Sequence, residues 1–427
     1  MNTKQGVILV TVVLLGFTSV VTADEKEIVS SLRLEQLVGD AMRENPQLKS
    51  MHAKWEAMQQ RPVQERTLPN PMFQYSGMDM TDGGTFPDTN EKRFMVEQPF
   101  PWFGKLGLKG KVADKDAEVM GREYDAAVRE ILMMVKENYF DLYAVQRSLS
   151  ITRAEEDVLK RMEKIAETKY STGEATQQDV LKAQAEISML KARLLELGQQ
   201  ETVVKAKLNQ LLNRRADSPL GLAVTAPANG FETSSGALFD LAEKTRPEIK
   251  KAEADVRRSE YQRDLTKKGF LPDYKLGVEY RNFRQGDDMV MMTVGIELPI
   301  WQTKYRAGVR EAEKMIDSSK AALEAAQRET SFDVQDAHFK LLTAQRTLDL
   351  YKTALVPQAE ARFNASEAGY RTGKVDFLDL LESERFLLNA RVMAAMAEGN
   401  VGMQLARLER AVGTDLKPSI ASGENGK

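Results

Sequence analysis

The second half of this 427-residue chain repeats the first in the same order, at an offset of two hundred residues. KYSTGEATQQDVL at Lys169 to Leu181 lies over GYRTGKVDFLDLL at Gly369 to Leu381, so Tyr170, Thr172, Gly173, Asp179 and Leu181 recur as Tyr370, Thr372, Gly373, Asp379 and Leu381. VEQPFPW (Val96 to Trp102) is echoed by IELPIW (Ile296 to Trp301), and FDLYAVQRSL (Phe140 to Leu149) by FKLLTAQRTL (Phe339 to Leu348). Leu68-Pro69 answers Leu271-Pro272. Stacked repeats have periods of about 20 to 50 residues, so a period this long is a duplicated half-molecule. Residues 24–213 and 236–413 form the two copies, joined by a Pro-, Gly-, Ala- and Ser-rich linker at 214–235. Residues 414–427 are expected to be a disordered tail.

The first 23 residues carry one Lys, an apolar run from Val7 to Val21 and a small-residue end at Val21-Thr22-Ala23, the pattern of an export signal cleaved before Asp24. That run is shorter than the roughly 20 residues a spanning helix needs, which argues against a single membrane anchor. With no cysteine, the exported chain has neither disulfide nor thiolate, and must hold together by packing or assembly. Its 60 basic and 63 acidic residues nearly cancel without forming a block of one sign, which excludes nucleic acid as the expected partner. Mean hydropathy is −0.42 and no later apolar stretch reaches 18 residues, so a helical membrane bundle is excluded. A membrane β-barrel is not, because its strands are only half apolar.

Each half reads as a broken helix, two strands, a very long helix, a turn and a returning helix. The broken helices run from about Leu34 to Arg66, with Pro46 as the break, and from about Leu238 to Lys268, with Pro247 as the break. Tyr274, Leu276, Val278 and Tyr280 alternate with Lys275, Gly277, Glu279 and Arg281, a half-buried strand. Val290, Met292, Val294, Ile296 and Leu298 alternate in the same way. Phe94 and Val96 mark the matching strand of the first half, and the repeat requires one more over Met72 to Met80. Lys105 to Tyr170 contains no proline and repeats apolar residues at three and four: Val128, Ile131, Val135, Tyr139, Leu142 and Leu149. At 1.5 Å per residue this is a rod of about 100 Å, longer than any compact domain encloses. Its counterpart, Tyr305 to Tyr370, contains Pro357 and should kink there. Both rods turn at a Thr-Gly pair and return, to Asn213 and Gly413.

Four strands with one apolar face must hide both that face and their edges. Membrane barrels start at about eight strands, so the chain must associate with copies of itself. Pro99, Pro101 and Pro299 fall where strands hand over to rods, and a proline without an N–H ends a ladder. The expected fold is therefore an internally duplicated α+β membrane protein.

These segments carry a resemblance. A-G-Y-x-x-G-x-x-x-x-x-D-x-L at Ala368 to Leu381, with the duplicated tips, is similar to the TolC-like outer-membrane efflux family over essentially all of the mature chain. PFPWFGKLGLKG at Pro99 to Gly110 resembles the family's heavy-metal efflux branch. The resemblance implies a homotrimer in which each chain gives four strands to a twelve-stranded outer-membrane barrel, continued across the periplasm by an α-helical barrel. It implies a passive duct without catalysis or cofactor, embedded in outer-membrane lipid, which docks a periplasmic adaptor and reaches an inner-membrane pump only indirectly. It puts the periplasmic gate on Tyr370 and Asp179, the acidic constriction ring on Asp379 and Glu382, and adaptor docking on the tips Thr172, Gly173, Thr372 and Gly373. The family's gate arginine, five residues beyond the tyrosine, is Val375 here, so the expected gate is weaker or relies on Lys374. Asp379 and Glu382 lie one helical turn apart, so three copies would bring six carboxylates to a mouth within a Debye length of about 8 Å, a cation filter.

Plainer readings stand beside each of these. Asp379 and Glu382 alone would read as a solvated helix face, and Gly173 and Gly373 as turn glycines. The 20 methionines, Met78, Met80, Met289 and Met291 among them, could offer thioethers to soft metals, but methionine more often fills gaps in apolar surface. Of two histidines, His338 falls on the apolar stripe where the first half has Tyr139, a packing position. No catalytic motif is present, so an enzyme is not expected. The competing reading is a soluble periplasmic coiled-coil scaffold or adaptor, which would need the rods but not the apolar-faced strands.

Overall fold

The computed structural model describes residues 31–80, 89–227 and 233–416; the expected export signal and the last residues of the expected tail lie outside them. The first half contains β1 (Ser31–Leu32), α1 (Leu34–Glu44), α2 (Pro46–Gln59), α3 (Arg61–Arg66), β2 (Met72–Met80), β3 (Thr89–Phe100), α4 (Lys105–Ser171) and α5 (Gln177–Leu211). After β4 (Leu222–Ala223), the second half contains α6 (Ser235–Thr245), α7 (Pro247–Lys267), β5 (Asp273–Phe283), β6 (Met289–Glu297), α8 (Gln302–Leu350), α9 (Val356–Arg371) and α10 (Phe377–Val412).

The first broken helix is interrupted twice rather than once. Asn45 caps α2, its side-chain oxygen accepting from the N–H groups of Gln47 (2.9 Å) and Leu48 (3.2 Å), and Pro46 takes the first helical position, where no donor is lost. Pro62 takes the second position of α3, where the N–H is likewise without an intrahelical partner, a second break the expected single helix lacks. The second rod breaks as Pro357 requires, and the break is a π-turn. Tyr351–Leu355 forms the wider turn, so the proline ring meets a carbonyl ladder already opened. The linker is tied down as well: β4 pairs in parallel with β1, and the buried Tyr139 hydroxyl donates to Leu32 O (3.1 Å) while accepting from Thr225 N (2.8 Å). At the other end, Asp415 pairs with Lys136 at 2.8 Å, so the expected tail is held through at least Leu416.

The four long strands form one antiparallel sheet in the order β2-β3-β5-β6. Its register puts Phe73, Val96, Val278 and Met292 in one row, and Tyr75, Phe94, Tyr280 and Val290 in the next. This apolar face is bare: Met292 is 81 % exposed and Val294 70 %. The opposite face carries Glu91, Arg93, Glu279 and Arg281, with Arg93 Nε 2.7 Å from Glu91 and Arg281 3.7 Å from Glu91.

α4 runs for 67 residues, about 100 Å at 1.5 Å per residue. It packs side by side with α5 and α10, and α10 packs in turn on α8 and α9. The four rods therefore form a layer with α5 at one edge and the α8–α9 rod at the other. α4 and α10 approach closely at Gly399 and Gly402, where an added Cβ would lie 2.6 Å from Phe140 O and 2.4 Å from the Phe140 ring. Among the described residues no helix is long and apolar enough to cross a membrane.

Candidate functional site at the helical tips

Both hairpins turn the same way. Gly173 (φ 79°) and Gly373 (φ 72°) take left-handed backbone, and their N–H groups donate to Tyr170 O (3.1 Å) and Tyr370 O (3.2 Å). A Cβ at either glycine would meet nothing within 4 Å, so both tips project into open space. The caps of the returning helices differ. In α5 the Asp179 carboxylate accepts from the Thr176 N–H and hydroxyl, both at 3.0 Å. In α10 the capping side chain is Asp376, which accepts from Asp379 N at 2.8 Å. The two repeats thus leave their equivalent acids in different states: Asp179 is engaged by its own helix end, and Asp379 is exposed with its carboxylate unpaired among the described residues.

The tips enclose a cleft of about 620 Å³, lined by Tyr370, Asp179, Lys169, Lys182, Val375 and Phe377 among others. Tyr370 is buried to 6 % exposure against Phe377, and its hydroxyl has no hydrogen-bond partner among the described residues. Burial first, and then the nearby Asp179 charge, push the phenol above its ordinary range, so it remains a donor at neutral pH. Tyr370 and Asp179 meet in one cleft but are not bonded within a chain. A buried donor left unpaired costs about 1–3 kcal/mol.

Lys169 is the residue that sequence reasoning missed. Its ammonium lies 4.7 Å above the Tyr370 ring and donates to Tyr370 O at 2.9 Å, so a cation does stand at the tyrosine, supplied by α4. The repeat held the signal, because Lys169 falls opposite Gly369. Val375, in place of the family arginine, packs on Gly369, where a Cβ would come within 2.5 Å of it. Lys374 is exposed. Glu382 is exposed on the same turn of α10 as Asp379.

At the other end of the rods, the ladder runs through Pro99, which pairs in register with Lys275, and stops at Phe100. Pro101, rather than Pro99, therefore stands at the end of β3. Pro299 lies just past β6, which also excludes Leu298 from the strand. Asp273 pins the junction, accepting from Trp102 N at 2.6 Å and from Lys105 Nζ at 2.8 Å. Met78, Met289 and Met291 lie on the charged face of the sheet, where Met78 Sδ accepts from Arg93; the Met80 side chain lies outside the described residues. His338 is buried and bonded through Nδ1 to Ser235 Oγ at 3.0 Å. Among the described residues no group of three His, Cys, Asp or Glu side chains could hold a metal.

The geometry is thus a sheet with one bare apolar face, mounted on rods about 100 Å long that end in exposed turns. The model of the outer membrane efflux protein family matches residues 37–214 and 238–414, and the chain belongs to that family. It is 23% identical over 407 residues to the cobalt-zinc-cadmium resistance protein CzcC of Cupriavidus metallidurans, covering 93% of both chains. It is also 23% identical over 318 residues to the outer membrane protein TolC of Vibrio cholerae, covering 71% of this chain and 72% of that one. Among solved structures, CusC superposes with a TM-score of 0.78 at 16% identity, covering 89% of this chain and 92% of that chain. VceC of Vibrio cholerae superposes at 0.74 and 19% identity, covering 90% and 97%. These structural likenesses concern the fold. The chain is thus an efflux channel of the outer membrane with a helical extension in the periplasm, of a family of channels rather than enzymes. The scaffold alternative is not favoured.

Proposed function

We propose that three copies close into a twelve-stranded barrel continued by a helical tube, a passive duct for an exporter whose pump lies in the inner membrane. The observation that carries this reading is the bare apolar face of the sheet, which nothing among the described residues covers. Edge strands β2 and β6 run in opposite directions, so β6 of one copy meets β2 of the next as another antiparallel pair and the ring closes without a free edge. The rods support the same closure. Leu195 on α5 (77 % exposed) and Phe332 on α8 (69 %) leave large apolar side chains at opposite edges of the layer, as a head-to-tail ring requires. In this reading 24–213 and 236–413 are the two copies of one unit, 214–235 joins them, and 1–23 directs export. Native mass measurement in detergent should give three copies; a stable monomer would overturn the closure.

The tips are the adaptor's docking surface and the gate region. Tyr370 lacks a hydroxyl partner among the described residues, so it is available to a neighbouring copy, and Asp379 and Glu382, unpaired among the same residues, can form the acidic ring. A duct with an acidic mouth suits cationic cargo. This agrees with the heavy-metal branch to which CzcC, by its name, belongs.

Docking has its own expected result. Gly373→Trp projects a large ring into open space, with the left-handed backbone costing roughly 1–2 kcal/mol. Membrane insertion and trimer formation should survive while export in cells is lost. Gly373→Ala carries the same backbone strain without the ring and should export normally. Intact export with Gly373→Trp would remove the tips from the docking surface.

A further inference from the structure

About two turns into α10 and more than four turns before the end of α4, the seam between the hairpins holds acids that neither gate nor ring accounts for. Glu155 on α4 is 3 % exposed and Glu384 on α10 is 1 % exposed, and they face one another across the most extended helix contact of the molecule. Their surroundings are apolar: Leu159, Met162, Leu381 and Leu388 belong to the same buried cluster as Tyr370 and Phe377. Neither Glu384 oxygen accepts a hydrogen bond of good geometry from any described group. The neighbouring cations are committed elsewhere. Arg385 binds Glu186 of α5 through Nε at 2.7 Å, and Arg391 binds Glu360 of α9 at 2.8 Å. Arg161 of α4 acts on Glu155 only as a nearby charge. Since both acids are enclosed within a single chain, a neighbouring copy does not reach them.

Two ionised carboxylates cannot share such a seam. Burial first, then the facing Glu155, push Glu384 up to about 9, and burial raises Glu155 as well. At neutral pH the pair holds a proton, which lets α10 lie on α4.

We propose that Glu155 and Glu384 are a proton-operated latch between the hairpins: while the pair shares a proton the tip stays closed, and once both ionise the seam parts and the mouth opens. This rests on the reading of the tips as the channel's mouth. Because Tyr370 and Phe377 belong to the same cluster, parting α10 from α4 moves the gate residues directly. The pair would couple opening to the proton concentration around the helical tube.

The test uses the full-length protein in planar bilayers, with potassium conductance recorded from about pH 6 to about pH 10, alongside melting in detergent over the same range. Glu384 binds its proton more tightly folded (about 9) than in the unfolded chain (4.5), so its stabilising contribution is complete below about 4.5 and is lost as pH rises through about 9. Wild type should therefore lose melting temperature across that window, and its conductance should rise several-fold near the upper end. Glu384→Gln keeps the shape of the protonated acid and cannot ionise, so both profiles should flatten with the channel closed. Glu155→Gln leaves a single ionisable acid, at most the one charge that the closed pair already carries, so its conductance should stay low across the range as well. A pair that merely packs would give a flat wild-type conductance, and a Glu384→Gln channel that titrates like wild type would equally overturn the latch. If the protein conducts at no pH, the channel reading fails instead, and a Glu384→Gln melting profile unchanged from wild type would still overturn the proton-bearing pair by itself.

Discussion

Replacing Asp379 by Asn and Glu382 by Gln should make the channel lose most of its preference for cations while its fold and assembly persist. Both side chains are exposed and neither carboxylate is paired among the described residues, so neutralising them leaves no buried partner stranded. Three copies lose six charges together. At about 8 Å in water each contributes roughly 0.5 kcal/mol to a cation on the axis, and screening over one Debye length reduces the six to about 1 kcal/mol. The same charges disfavour an anion by as much, so the difference of about 2 kcal/mol corresponds to roughly a thirtyfold fall in cation-to-anion selectivity, measured from reversal potentials in a salt gradient. Block by multivalent cations should weaken in parallel. Neutralising Asp179 should act differently, because its carboxylate caps α5, and the expected loss is about 1 kcal/mol of local helix stability. Tyr370→Phe separates the two roles further. It removes no hydrogen bond among the described residues, so any rise in conductance reports a bond to a neighbouring copy. If the double neutralisation and Tyr370→Phe both leave conductance and selectivity unchanged, the gate and ring assignments are wrong, although the duct could stand.

Gly399→Val should cost the most stability of any exchange of similar size in the helical layer. An added Cβ would sit 2.6 Å from the Phe140 carbonyl oxygen and 2.7 Å from the Ala144 Cβ. Neither can turn aside, since both belong to the α4 framework, so the helices must move apart. Overpacking of this kind costs about 1–3 kcal/mol, and the branch of valine brings it to the upper end of that range or beyond. The loss should appear as a lower melting temperature and a reduced yield of assembled channel. Gly39→Ala provides the contrast, because Gly39 lies inside α1 with nothing within 4 Å of its would-be Cβ. That change should stabilise by roughly 0.5–1 kcal/mol, as backbone entropy is withdrawn from the unfolded chain. Equal losses at the two positions would refute the close approach of α4 and α10.

The features legible in the amino-acid sequence are those with a local period. Alternation at two assigns Tyr274 to Tyr280 to one apolar face, recurrence at three and four gives α4 its buried stripe, and prolines mark helix starts and the π-turn before Pro357. Each depends on neighbours only a few residues away, so a single chain suffices to reveal it. The duplication carries this further by supplying β2, whose own alternation is weak. It also misleads where its copies diverge. Asp179 and Asp379 occupy equivalent positions, yet Thr176 engages the first while Asp376 caps the helix of the second, and only the pattern of bonds distinguishes them.

Tertiary structure alone decided which groups meet across large separations in sequence. The pairing of β3 with β5, the Lys169 ammonium over Tyr370 and the facing of Glu155 and Glu384 each join residues about two hundred positions apart. No periodicity encodes such a meeting, because it is set by how two complete hairpins slide and rotate against each other. Burial is likewise a property of the assembled layer. Glu384 reads as one more charge on a charged helix until α4 closes over it, and only then does the cost of removing a carboxylate from water make it a protonated acid.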